Sequence, residues 1–75
     1  MSYRIEVIEG IGHSYRQRMA AAGISRTTDL LRQCGTPAGR AQVAVRTGLS
    51  SKQILVWTNM ADLMRVSGVG PQFAE

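Results

Sequence analysis

The stretch Ile8-Glu9-Gly10-Ile11-Gly12-His13, running on into Ser14-Tyr15-Arg16-Gln17-Arg18-Met19-Ala20-Ala21-Ala22-Gly23, decides how this chain folds. Two glycines flank one aliphatic residue, between a short apolar segment and a helix-like run. Glycine adopts φ > 0 without a Cβ penalty, so a Gly-aliphatic-Gly triplet permits a sharp bend. A helix that starts directly after such a bend leaves backbone N–H groups uncovered at its positive end, where an anion is favoured. The triplet returns near the other end in Val66-Ser67-Gly68-Val69-Gly70-Pro71. Two copies of one turn therefore bracket the chain.

Helix signals extend outward from the first triplet. Residues 3–9 alternate loosely through Tyr3, Ile5 and Val7, as a short strand would. Ile5 and Ile8, at i, i+3 before a tight turn, predict one helical turn instead. From Ser14 to Ala22, Tyr15, Met19 and Ala22 fall at i, i+4 and i+7. Gly23 supplies a C′ stop, and Ile24 is placed to pack back onto the helix. Ser25, Thr27 and Thr28 are candidate N-caps for a short helix through Gln33, with Asp29 in its first turn and Cys34-Gly35 as its end. Thr36 as N-cap and Pro37 at N1 open the next helix, which stops at Gly48. Ser50 and Gln53 form a capping-box pattern at the head of the longest helix, about residues 51–66. Its apolar set of Ile54, Trp57, Ala61 and Met64, with Leu55 and Leu63 alongside, predicts a wide buried face. Trp57 reads as the core anchor and Cys34 as a small core residue. The expected fold is all-α: one domain over 1–75, a compact bundle of about five short helices.

Composition narrows the function classes. The chain has 75 residues, with nine Lys/Arg against five Asp/Glu, and eight of the nine bases are arginine. From Arg16 to Lys52 seven bases face one acid, Asp29, a local net charge of +6. Such a stripe suits a polyanionic partner, or simply a solvated surface. With one cysteine and one histidine there is no intrachain disulfide and no zinc-type ligand set, so no metal or cofactor is expected. A core this small is marginal without help, which leaves oligomerisation open. No run approaches the ~18 apolar residues of a membrane span, and the N-terminus lacks a hydrophobic signal region, so a cytoplasmic protein is expected. The acids Glu6, Glu9, Asp29, Asp62 and Glu75 fall on different predicted elements, and no nucleophile–base constellation is visible. Catalysis is not expected.

The segment from Ile8 through Gly10-Ile11-Gly12, Tyr15 and Met19 to Gly23-Ile24 resembles the helix-hairpin-helix motif, and a first hairpin is expected over about 3–24. In that family two helices cross a Gly-hydrophobic-Gly turn whose amides hold a DNA phosphate without reading sequence. The resemblance implies that role for Gly10, Ile11 and Gly12, with His13, Arg16 and Arg18 alongside. The family has proline right after the turn and alanine four residues past the second glycine, where this chain has His13 and Arg16. Arg16 either weakens helix packing or stands outward beside Arg18 as a phosphate contact. The second copy, about 54–75 with Gly68, Val69 and Gly70 at its turn, keeps both family residues as Pro71 and Ala74. It stops one turn into its helix. The order of parts is similar to a small bacterial family of paired hairpins with no established activity, whose members run longer. On that resemblance the chain is expected to be the N-terminal part of a longer design.

Residues 40–58 resemble a second motif, the helix-turn-helix, within a helical corner expected over about 36–66. Ala44, Gly48, Leu49, Ile54 and Trp57 stand where that motif places its packing and turn residues. The resemblance implies that the start of the second helix enters the major groove, presenting Ser51, Lys52 and Gln53. A tight corner inside a helical bundle needs the same residues, and one lysine with one glutamine is a thin base-reading surface. Two functions therefore stand open. One is a non-enzymatic module that contacts DNA phosphates through the Gly10–Gly12 turn and nearby arginines, without sequence reading. The other is an interaction or homodimerisation domain, whose hairpins are packing units and whose second hairpin a partner chain completes.

Overall fold

The computed structural model describes residues 2–67, and the second triplet, Gly68-Val69-Gly70, lies outside them along with Pro71 and Ala74. The described residues form a 3₁₀ turn, Ile5–Val7, and four α-helices: α1 His13–Ala21, α2 Thr27–Cys34, α3 Pro37–Thr47 and α4 Ser51–Ser67. They contain no strand, only one isolated antiparallel bridge between Arg4 and Arg26. The all-helical class stands. The first of the five expected helices is reduced to the 3₁₀ turn.

That reduction has a hydrogen-bonding cause. Tyr3 N–H donates to Thr27 Oγ1 (3.1 Å), Thr27 N–H to the Tyr3 carbonyl (2.8 Å) and Ile5 N–H to the Ser25 carbonyl (3.1 Å). Residues 3–5 thus pair in an extended, strand-like way with residues 25–27. The alternation in the sequence marks that pairing, and the i, i+3 spacing marks the turn after it. Both Ile5 and Ile8 are fully buried. Thr27, expected as an N-cap, instead clamps this N-terminal segment.

Each later helix ends as its residues dictate. At the end of α1, Gly23 N–H donates to Ala20 O and Ile24 N–H to Met19 O, both at 2.9 Å, the paired bonds of a Schellman motif. Ile24 and Met19 both lie in the core. Thr36 Oγ1 accepts from Gly39 N–H (3.1 Å), with Pro37 at the first position of α3. Ser50 Oγ accepts from Gln53 N–H (3.1 Å) at the start of α4. Gly48, left-handed at φ 76°, turns the chain between α3 and α4.

The start of α2 is held from inside the helix. The Asp29 carboxylate, 23 % exposed, accepts from Ser25 N–H (3.1 Å) and Arg26 N–H (3.0 Å) and pairs with Arg32 (3.2 Å). Those backbone bonds, from Ser25 first and then Arg26, hold its carboxyl below the ordinary value of 3.8. A depressed folded value means stability that is present above pH 3.8 and lost as pH falls through the folded value. Asp29→Ala is expected to cost about 1 kcal/mol at pH 7, the size of a lost helix cap. In urea melts the difference from wild type should shrink as pH falls below 3.8.

The core is one cluster. It runs from Ile5, Ile8 and Ile11 through Met19, Ile24, Leu30 and Cys34 to Val43, Ile54, Trp57, Ala61 and Met64. Trp57 is its largest member, 1 % exposed, with the Tyr15 ring tilted against it at 5.3 Å between centroids. Cys34 is a core residue, as its residue type suggested, and burial pushes its thiol up from 9.0 against the opposing pull of Arg40 and Arg46. The buried hydroxyls of Thr47 and Thr58 donate to the carbonyls of Val43 and Ile54, each at 2.7 Å, one turn back in their own helices. A hydroxyl so bonded can be buried without loss.

Candidate functional site

Gly10 enters the bend at φ 97°, a left-handed conformation that requires glycine. A Cβ there would stand 3.5 Å from the Trp57 indole nitrogen, so the bend rests on the core anchor of α4. Ile11 is buried, and its N–H donates to the Ile8 carbonyl (3.1 Å). Its amide is therefore engaged within the turn. Gly12 follows as the N-cap of α1 in an extended conformation, φ −83° and ψ −174°. Among the described residues nothing lies within 4 Å of where its Cβ would be.

The amides left open are those just past the turn. Gly12 accepts from Arg16 N–H (2.9 Å) through its carbonyl, and no side chain caps the helix. The N–H groups of His13, Ser14 and Tyr15 have no acceptor one turn earlier in the helix. The starts of α3 and α4 are each covered by a hydroxyl, and Thr27 N–H at the start of α2 by the Tyr3 carbonyl. Only α1 opens onto bare glycine. Ser14 and Tyr15 belong to this amide set and were missed from sequence, although the capless Gly12-His13-Ser14 start was the signal for them.

The charged residues divide between two sides of α1. Arg16 Nη2 donates to His13 Nδ1 (3.0 Å). Arg16 also lines a recess with Arg4 and Arg26. Arg18 reaches toward the α3–α4 bend instead, 3.9 Å from where a Gly48 Cβ would stand. Two residues apart on a helix means roughly 200° of rotation. The arrangement in which Arg16 stands beside Arg18 is not formed: Arg16 bonds His13 at the start of α1, and Arg18 lies toward the α3–α4 bend.

At the α3–α4 corner, Ser51, Lys52 and Gln53 are exposed on the first turn of α4. Lys52 borders a shallow recess of ≈280 Å³ with Pro37, Arg40 and Leu55. The supporting arginines are tied to α2: Arg40 donates to the Cys34 carbonyl (3.0 Å) and Arg46 to Gln33 (3.2 Å). Lys52 is the one cation at this corner that no hydrogen bond or ion pair holds among the described residues. Among those residues no three His, Cys, Asp or Glu side chains converge as a metal site, and no helix is long and apolar enough to cross a membrane.

These features define a small all-helical domain built around a glycine turn. Over residues 9–75 the chain matches the family model described as Domain of unknown function (DUF4332). The chain belongs to that family. No curated protein and no solved structure matches it.

Proposed function

We propose that this domain binds nucleic acid through the phosphate backbone, at the Gly10–Gly12 turn and the start of α1, without reading sequence. The observation that carries it is the bare helix start. Among the described residues, α1 begins on a glycine with no side chain over its first amides and with open space above Gly12. A phosphate oxygen fits there because the exposed N–H groups and the helix dipole both favour negative charge. His13 and Arg16 flank the same turn, and the chain around them is strongly basic. The resemblance of residues 8–24 to the helix-hairpin-helix motif agrees with this use, with a 3₁₀ turn in place of the motif's first helix. Arg18 and the Ser51-Lys52-Gln53 face stand apart from the turn, as further backbone contacts to a strand that wraps the domain.

Backbone binding of this kind has a steep ionic-strength signature. Log K should fall by roughly 0.9 for each phosphate neutralised, per unit of log salt. Fluorescence anisotropy with two labelled duplexes of unrelated sequence, at 50 mM and 200 mM salt, reads it. Equal affinity for both duplexes with a slope of several units is the expected result. Affinity weaker than ~0.1 mM at low salt, the weak end of non-specific binding, rules it out.

A further inference from the structure

Behind the hairpin, a recess of ≈330 Å³ opens between the N-terminal segment, α1 and the link into α2. It is lined by Arg4, Glu6, Arg16, Ala20, Ser25 and Arg26. Its three arginines come from three separate segments: the pairing of residues 3–5 with 25–27 sets Arg4 beside Arg26, and α1 supplies Arg16. None of the three makes an ion pair, since the described residues hold only two, Arg32–Asp29 and Arg65–Asp62. Arg26 is fixed from behind, Nε donating to Ser2 Oγ (3.0 Å) and Nη2 to the Ser2 carbonyl (2.9 Å). That leaves Nη1 free to donate. Arg16 is fixed through His13, and the Arg4 side chain makes no hydrogen bond among the described residues.

We propose that this recess binds a phosphate dianion that also carries a hydroxyl group. Three guanidinium charges and the one carboxylate of Glu6 leave an excess of two positive charges, the charge of a phosphate dianion. Arginine forks match phosphate oxygens in pairs, and converging like charges repel one another until an anion sits among them. Glu6 supplies selectivity. A carboxylate repels a bare anion but accepts a hydrogen bond from a hydroxyl. Hydrogen phosphate offers one on phosphorus and a sugar phosphate offers its ring hydroxyls, whereas sulfate has none. The recess is at the small end of ligand-site volumes, which suits a single phosphate or sugar phosphate. This site goes beyond the duplex-binding reading: the two share Arg16, but the amides at the start of α1 are not among the residues that line the recess, and Arg4 and Glu6, the residues tested below, belong to the recess alone.

Nuclear magnetic resonance titration of the ¹⁵N-labelled protein tests it, with sodium phosphate, ribose 5-phosphate and sodium sulfate at matched ionic strength. Phosphate is expected to give saturable shifts at Arg4, Glu6, Ser25 and Arg26, at an affinity about tenfold above that for sulfate. Arg4→Gln should weaken phosphate binding about tenfold in a spectrum that stays folded, because that side chain holds nothing else. Glu6→Gln should abolish the preference over sulfate, since an amide can donate to either anion. Tighter binding of ribose 5-phosphate than of phosphate identifies a sugar phosphate as the ligand, and the reverse identifies the free anion. Equal and unsaturated shifts with phosphate and sulfate, or unchanged phosphate affinity in folded Arg4→Gln, overturn the site.

Discussion

Trp57→Ala is expected to remove about 3–5 kcal/mol of folding stability, the range for deleting a buried aromatic ring. A domain of this length holds roughly 4–11 kcal/mol in total, so the loss is a large part of it. The indole is 1 % exposed and is the largest of the fully buried side chains. It meets the core from α4, the Tyr15 ring from α1 and the backbone at Gly10. Removing it opens a cavity beneath the glycine turn and ends an aromatic contact worth about 0.5–1.5 kcal/mol. In thermal melts the midpoint should drop by at least ~12 °C, at about 4–8 °C per kcal/mol for a small domain. Tyr15→Ala, which spares the indole, should cost far less. A drop in Trp57→Ala of only a few degrees would mean that the indole is not the anchor.

Gly39→Ala should also destabilise, against the usual direction for a helix. Alanine in place of glycine within a helix ordinarily gains about 1 kcal/mol. Here the first turn of α3 passes so close to the end of α2 that a Cβ would drive into the Gln33 carbonyl oxygen, with Thr36 Oγ1 3.2 Å away. The obstacle is backbone and cannot swing aside. Either α2 and α3 separate, disturbing the Arg40 bond to the Cys34 carbonyl, or the capping bond from Gly39 N–H to Thr36 is lost. Overpacking of this kind costs about 1–3 kcal/mol, and urea denaturation should show a net loss. A net gain would show that the α2–α3 corner has room that the structure does not give it.

The helices were legible because their ends carry local chemistry. Thr36-Pro37, Gly23-Ile24, Gly48 and Ser50 each act within three to five residues of themselves, and each does in the fold what its type suggests. Trp57 was legible by its apolar helix face, and Cys34 by the usual burial of a lone cysteine. Part of what escaped depends on partners far away in sequence. The bonds of Tyr3 and Ile5 to residues 25–27 turned one expected helical turn into an extended pair and a 3₁₀ turn, and made Thr27 a clamp. Asp29 was placed in the first turn of its helix, but the amides it accepts from lie upstream of that helix. At the candidate site the Gly10–Gly12 bend was visible, whereas the engagement of the Ile11 amide by Ile8 was not. Arg16 and Arg18 look adjacent in sequence and face different sides of α1 in space. The recess that joins Arg16 to Arg4 and Arg26 has no sequence signature, because it exists only once the N-terminal segment has paired.

Gly12→Val tests the central claim most directly. The residue sits at φ −83° in open space, so valine fits without a clash. Its two methyl groups would stand over the amides of His13 and Ser14, and the expected folding cost is at most about 1 kcal/mol from the poorer N-cap. Duplex affinity at 50 mM salt, read by anisotropy against a circular dichroism control for the fold, should fall at least about tenfold. Hydrogen bonds to a charged group are worth about 1.5–3 kcal/mol each, and every 1.4 kcal/mol is tenfold. Unchanged affinity in a folded Gly12→Val protein would contradict phosphate binding at the start of α1.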